Sequence, residues 1–273
     1  MKSTYIIVLG LIILNFSCKT TVNTDTNNSV NNTVPKREHT VQALLWQQQS
    51  AEYKALTHQA YNLAKMYLDN ALANKKENSK PLAIVTDIDE TVLDNSPYNA
   101  RMVKYDVDYT SSTWNAWGKE AKAKAVPGAL DFFNYADSKG VAVYYISNRK
   151  IIQLEETIAN LKTKGFPKAN TNTVLLRTTT NGKEIRRNDV EKTHEIIMLL
   201  GDNLSDFSDL FDNQPTKKRN NLVEELKSKF GKKFIVLPNP MYGDWETKGI
   251  YESSYKWSGK QKDSIRKSKL RLH

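Results

Sequence analysis

Residues 85–95 read VTDIDETVLDN, and this stretch decides both the fold and the chemistry. Leu82, Ala83, Ile84 and Val85 lead into it, a run of apolar and β-branched residues that reads as a buried strand. The strand ends in Asp87, Asp89, Glu90 and Asp94. Carboxylates packed this closely repel one another. They persist at a strand end where solvent, a cation or a function offsets the repulsion.

Working outward, four more apolar runs recur: VAVYYIS at 141–147, TVLLR at 173–177, EIIMLLGD at 195–202 and FIVLP at 234–238. Helical patterns lie between them. GALDFFNYADSKG ends on Gly140 and IIQLEETIANLKTKG ends on Gly165, as helix C-termini often do. Residues 40–74, with Leu44, Leu56, Leu63 and Leu68 at helical spacing, predict one or two amphipathic helices. The alternation predicts an α/β fold, a doubly wound Rossmann-like parallel sheet whose site lies at the carboxyl ends of the strands. Residues 95–126 fit no core strand. With Tyr98, Tyr105, Tyr109, Trp114 and Trp117 they read as a helical cap inserted over those strand ends.

The chain has 273 residues, 39% of them hydrophobic, and a formal net charge of +10. That allows one domain carrying an insertion. A basic balance suits nucleic acid, acidic lipid or small anions. No nucleic-acid motif is present, so a nucleic-acid polymer is not the expected partner. Much of the excess lies late, in KKRNNLVEELKSKFGKK (217–233) and in a basic tail at 256–273, and it reads as a solvated face and a frayed end.

The single cysteine, Cys18, excludes an internal disulfide. It follows Lys2 and the apolar run YIIVLGLIILNF, the layout of a secretory signal over 1–18, too short for a comfortable transmembrane helix. A Cys here resembles the lipobox of bacterial lipoproteins, in which that residue is acylated. Asn15 stands where that motif usually has Leu, with Leu14 one place upstream. Residues 19–38, including the Asn/Thr-rich TTVNTDTNNSVNNTVP, read as a flexible linker, and 39–255 as the globular domain.

Three other strand ends carry polar groups: Ser147-Asn148-Arg149, Lys183, and Asp202 with Asp206 in GDNLSDF. A parallel sheet would bring them to one edge with Asp87 and Asp89. Carboxylates, a hydroxyl and an ammonium are what phosphoryl transfer through a covalent intermediate requires. One Asp attacks phosphorus, a second acid serves the leaving alkoxide and then water, Mg²⁺ neutralises charge, and Ser and Lys hold the phosphoryl oxygens. A calcium loop counted from Asp87 fails, because positions six and twelve are Val92 and Tyr98. A helix cap would account for Thr91 or Asp94 and leave two strand-end aspartates unexplained.

DxDxT, a strand-end Ser, a Lys and GDxxxD in this order resemble the haloacid dehalogenase superfamily in its phosphatase branch. SAEYKALTHQAY (50–61), VTDIDETVLDNSPY (85–98), WNAW (114–117), AVPGALDFFNYA (125–136), KEIRR (183–187) and LLGDNLSDF (199–207) narrow the resemblance to the class C acid phosphatases, the lipoprotein 5′-nucleotidase family. It covers most of the chain from about Leu45 to Tyr242. The resemblance implies a Mg²⁺-dependent phosphomonoesterase domain acting on nucleoside monophosphates, nicotinamide mononucleotide and other small phosphomonoesters. It implies Asp87 as nucleophile and metal ligand, and Asp89 as general acid/base with its carbonyl on the metal. Asp202 becomes the third protein ligand and Asp206 holds a metal-bound water. Ser147, Asn148 and Lys183 bind phosphate, with Arg186 and Arg187 close enough to share the charge role of Lys183. Trp114 and Tyr242, in NPMYGDWE, match positions that stack the leaving group, and Tyr109 is a weaker match. A π-face tolerates many bases, which predicts a broad substrate range. The resemblance also implies a lipid anchor on Cys18 in the cell envelope, at the outer membrane or periplasm, and leaves the membrane face and a homodimer open.

Other readings remain at this point. A phosphotransferase would use the same intermediate, and a surface lipoprotein could bind a ligand without catalysis. A dehalogenase is disfavoured by the second aspartate. The chain has no GxSxG and no GxxxxGK[ST], which argues against Ser hydrolase and P-loop chemistry.

Overall fold

The computed structural model describes residues 34–254 and 256–273. Cys18, the signal segment and most of the 19–38 linker lie outside the described residues. Two N-terminal helices, α1 (Val41–Gln49) and α2 (Ala51–Ala73), precede the first strand β1 (Leu82–Thr86). Ser50 breaks the predicted helical stretch in two, with an extended backbone and an Oγ that accepts the Tyr53 N–H at 3.0 Å.

The short strand β2 (Leu93–Asp94) opens the insertion, and helices α3 (Ser96–Tyr105) and α4 (Ser111–Lys119) follow. The strand β3 (Lys124–Ala125) closes it by pairing antiparallel with β2. The chain continues through α5 (Ala129–Ser138), β4 (Ala142–Lys150), α6 (Leu154–Thr163), β5 (Val174–Arg177), α7 (Glu184–Glu191) and β6 (Glu195–Gly201). It ends with α8 (Thr216–Glu225), β7 (Phe234–Val236), a π-helical turn at Trp245–Ile250, and α9 (Gly259–Ser268).

The five main strands form one sheet in the order β5-β4-β1-β6-β7, every pairing parallel. Each of the five apolar runs read from the sequence is one of these strands. The order reverses at β1, whose neighbours β4 and β6 leave in opposite directions, and a crevice opens at the carboxyl end of such a switch point.

Successive residues of β1 serve opposite faces. Leu82 and Ile84 pack with Tyr61 and Leu68 of α2, Phe132 and Phe133 of α5, and Leu161 of α6. Ala83 and Val85 pack with Val190 of α7, Leu199, Phe207 and Phe234. Burial on both faces explains the unbroken apolar run before Asp87. Phe133 is fully buried at the centre of the larger cluster, and truncating such a ring to Ala costs about 3–5 kcal/mol.

One expectation changes. The 256–273 tail is not simply frayed. It holds α9, opened by a capping box between Ser258 and Gln261 and joined to the domain by Arg266, whose Nη1 donates to the Tyr251 hydroxyl at 2.8 Å. Basic composition concealed this because the helix rests on its cap and one packed edge, with no fully buried residue. Among the described residues no helix is long and apolar enough to cross a membrane.

Candidate active site

The end of β1 is fixed by a sheet bond, the Asp87 N–H to the Leu200 carbonyl at 2.9 Å. This sets Asp87 beside Asp202, which leaves the end of β6. Asp206 follows in a 3₁₀ turn at Leu204–Asp206. Carboxylate oxygens of Asp87, Asp202 and Asp206 lie within 4.8 Å of one another. One cation faces them. The Lys183 ammonium, at the start of α7, bonds Asp87 and sits 2.7 Å from Asp206 Oδ1.

Burial dominates the electrostatics. It pushes the Asp87 carboxyl up to about 7. Lys183 opposes the rise, and Asp206 and Asp89 add to it. Burial, then Asp206 and Asp87, raise Asp202 well above the usual carboxylate range. For Lys183 burial works against the charge, but Asp206 and Asp87 outweigh it and hold the ammonium. Three crowded carboxylates with one ammonium and all-oxygen donors fit a hard divalent cation. A bound cation would lower the carboxyls that burial raises.

Asp89 points elsewhere, toward β4. The register of β4 against β5 slips between Ser147 and Lys150, and side chains alternate through this strand end, so Asn148 is exposed while Arg149 shares the buried face of Ser147. Arg149 donates to Asp89 Oδ1 from Nε at 3.0 Å and from Nη2 at 2.8 Å. The Ser147 hydroxyl reaches Asp89 Oδ2 at 3.2 Å, and Asn95 Nδ2 reaches Oδ1 at 2.8 Å. Arg149 also donates from Nη1 to Thr157, and its guanidinium lies 5.6 Å from the Trp114 ring centre.

Glu90 is fully buried with φ +57°, a left-handed conformation that a non-glycine residue adopts at a cost. Burial, reinforced by Asp89, pushes its carboxyl up to about 8, while bonds from Tyr242 and Asn95 oppose the rise. Its Oε2 accepts from the Tyr242 hydroxyl, and Asn95 bonds it through both the backbone N–H and Nδ2. Asn95 Oδ1 in turn accepts from Trp117 Nε1 at 2.8 Å.

These groups surround a cavity of about 410 Å³, a volume suited to a small molecule. Asp87, Asp89, Ser147, Asn148, Lys183, Asp202 and Asp206 form its polar end. Trp114, Tyr109 and Tyr98 come from the cap, with Tyr98 edge-on to Trp114 at 5.1 Å between ring centres. Met241 and Tyr242 come from the loop after β7, and Arg37 and Thr40 from the segment before α1. Every site residue expected within the described residues therefore meets at one place.

The remaining candidates separate. Trp117 packs against the core. Arg186 and Arg187 do not line the cavity. Arg186 holds the Ser147 carbonyl at 2.7 Å and Asn148 Oδ1 at 2.8 Å, and Arg187 holds the Asp206 carbonyl at 2.8 Å. The side chains of Asp87, Asp202 and Asp206 form the carboxylate group, and that of Asp89 lies outside it. Sequence reasoning assigned no catalytic role to Arg149, Glu90 or Asn95, and gave Glu90 only the support of its loop. Arg149 was visible in Ser147-Asn148-Arg149, where alternation puts it on the buried face of Ser147. Arg37 fell inside the expected linker, yet its Nε donates to the Val107 carbonyl at 3.2 Å and its backbone N–H to Asp106 at 3.0 Å.

Comparisons with known proteins agree with this geometry. The chain matches the model of the HAD superfamily, subfamily IIIB (acid phosphatase), over residues 2–245. The class C acid phosphatase of Bacillus anthracis superposes with a TM-score of 0.84 at 47% identity, covering 88% of this chain and 100% of that one. The same phosphatase with tungstate bound gives 0.84 at 46% identity and the same coverage. More distantly, the chain is 25% identical over 161 residues to a stem 31 kDa glycoprotein of Glycine max, 57% of each chain. It is 26% identical over 189 residues to a stem 28 kDa glycoprotein of the same plant, 64% of this chain and 68% of that protein. The chain thus spans under two thirds of the first of these glycoproteins. By the family match and by its likeness to class C structures, the chain belongs to subfamily IIIB of the HAD superfamily, the acid phosphatases, a family of phosphomonoesterases.

Proposed function

We propose that this chain is a Mg²⁺-dependent phosphomonoesterase that works through an aspartyl-phosphate on Asp87. Its substrates are nucleoside monophosphates, nicotinamide mononucleotide and other small phosphomonoesters. The observation that carries the reading is Lys183 bonded to both Asp87 and Asp206 beside Asp202, at the floor of a cavity whose mouth is aromatic. The Bacillus anthracis relative with bound tungstate, a tetrahedral oxyanion, supports an anion site.

The chemistry follows from the residues present. An Asp87 oxygen attacks phosphorus as the bond to the leaving oxygen breaks. Asp89, protonated, gives its proton to that oxygen, and the alcohol departs. The Asp89 carboxylate then takes a proton from water, whose oxygen attacks the phosphoryl group, releasing phosphate and restoring Asp87. Lys183 and the Ser147 hydroxyl steady the phosphoryl oxygens. Asp87, Asp202 and the Asp89 carbonyl would hold Mg²⁺, which neutralises charge between carboxylate and phosphate when bound. Trp114 and Tyr242 take the faces of the leaving group.

Phosphate release from a panel of nucleotides and sugar phosphates, with and without chelator, tests this. Hydrolysis that disappears with chelator and returns with Mg²⁺ is expected. Full activity in chelator would remove the metal from the reading, and no release from any substrate would favour a non-catalytic binding protein. Phosphate passed to added alcohol would mark a phosphotransferase. The leader sequence supports export and anchoring through Cys18, and Cys18→Ala should move the protein from the membrane to the soluble fraction.

A further inference from the structure

The cavity holds one polar side chain that neither the catalytic scheme nor the fold uses. Asn99 lies in the first turns of α3, is 3% exposed and lines the cavity. Its Nδ2 is buried and has no hydrogen-bond partner among the described residues. A buried amide left unpaired is costly, and most such groups in folded proteins are satisfied. Its surroundings do not supply a partner. The Tyr98 hydroxyl is engaged with Thr113 Oγ1 at 3.0 Å, Asn95 one turn earlier is bonded to Trp117, Asp89 and Glu90, and Met102 one turn later is apolar.

We propose that Asn99 is a specificity-determining residue whose amide bonds the polar edge of the leaving group, a ring carbonyl or carboxamide oxygen, while the cavity's aromatic side chains take its faces. The inference rests on the phosphomonoesterase reading and deepens it. Stacking on a π-face does not separate a ring with a polar edge from one without. A buried amide does, because a leaving group lacking the acceptor leaves that amide unpaired.

The test compares kcat/KM for uridine 5′-monophosphate and for phenyl phosphate, whose ring has no polar edge, in wild type, Asn99→Leu and Asn99→Ala. In both variants the ratio of the two values should fall about five- to tenfold. Asn99→Leu removes an unpaired amide at similar volume, so its Tm should equal or exceed that of wild type. If it does not fold, Asn99→Ala carries the ratio test. A ratio within twofold of wild type overturns the inference. So does a lowered Tm with an unchanged ratio, which makes Asn99 structural. If wild type hydrolyses neither substrate with Mg²⁺, the phosphatase reading fails and takes this one with it.

Discussion

Arg149 grips Asp89 with two nitrogens, Nε at 3.0 Å and Nη2 at 2.8 Å from Oδ1. The same guanidinium lies 5.6 Å from the Trp114 ring and bonds Thr157 on α6. One buried side chain therefore fixes the proposed general acid and touches the cap that encloses the leaving group. Proton transfer depends on placing Asp89 at the leaving oxygen, so orientation is where Arg149 acts.

Arg149→Lys keeps the charge and loses the planar fork. Its kcat should fall about 10- to 100-fold, a fraction of the 10²–10⁴ that general acid–base catalysis supplies. KM should stay within about threefold, since the guanidinium engages Asp89 rather than the phosphoryl group. Because both residues serve one step, Arg149→Lys combined with Asp89→Asn should be scarcely slower than Asp89→Asn alone. Steady-state kinetics on the two single variants and the double variant decide it, and fully multiplicative losses would refute the link.

Asp87→Asn removes the nucleophile and also one of three crowded carboxylates. Hydrolysis should fall at least about 10³-fold. Stability should hold, because Lys183 keeps its 2.7 Å partner Asp206 and the substitution relieves repulsion at a site where burial pushes Asp87 up to about 7. Thermal unfolding in chelator should give a Tm at or above wild type. Turnover near the wild-type rate would sink the covalent mechanism.

The fold was legible because both faces of the sheet are covered. Ile84 and Val85 are buried on opposite sides, so β1 reads as an unbroken apolar run, and the acids after it mark the strand end. Local signals also placed Lys183 and Asp202, since each follows or closes a recognisable strand. What escaped was long-range. The partner of Glu90 is Tyr242, far along the chain, and neither residue's surroundings announce the contact. Arg149 escaped because a charged residue at a strand end reads as solvent-facing, although alternation places it on the buried face of Ser147, and its partner Asp89 is distant in sequence. Arg37 escaped because composition around it is that of a linker, while its bonds run to the loop before α4.

The Tyr242 hydroxyl bond to Glu90 predicts two separable effects. Tyr242→Phe keeps the ring and takes from the buried Glu90 carboxyl one of its donors, leaving those of Asn95, so stability should fall by about 1–3 kcal/mol while the KM for uridine 5′-monophosphate rises only a few-fold. Tyr242→Ala also deletes the stacking face, worth about 1–3 kcal/mol per base, so its KM should rise further. Urea unfolding and kinetics on both variants measure this. Equal KM values for the two variants would mean that the ring does not stack.

Lys183→Met tests the charge balance of the site. In the protein as folded, Lys183 faces Asp87, Asp202 and Asp206 at the end of the sheet, bonded directly to two of them. Removing one partner of a buried ion pair leaves uncompensated charge, which costs about 3–5 kcal/mol. A divalent cation can supply the missing charge, and its binding stabilises the folded state in proportion to its affinity. Lys183→Met should therefore unfold at a markedly lower temperature than wild type in chelator and gain more than wild type from added Mg²⁺. Activity should stay low in Mg²⁺, because the cation restores charge without restoring the ammonium contact to the phosphoryl oxygens. A variant that melts like wild type in chelator would show that the carboxylates are neutral there, and Lys183 would then not be the counter-charge of the site.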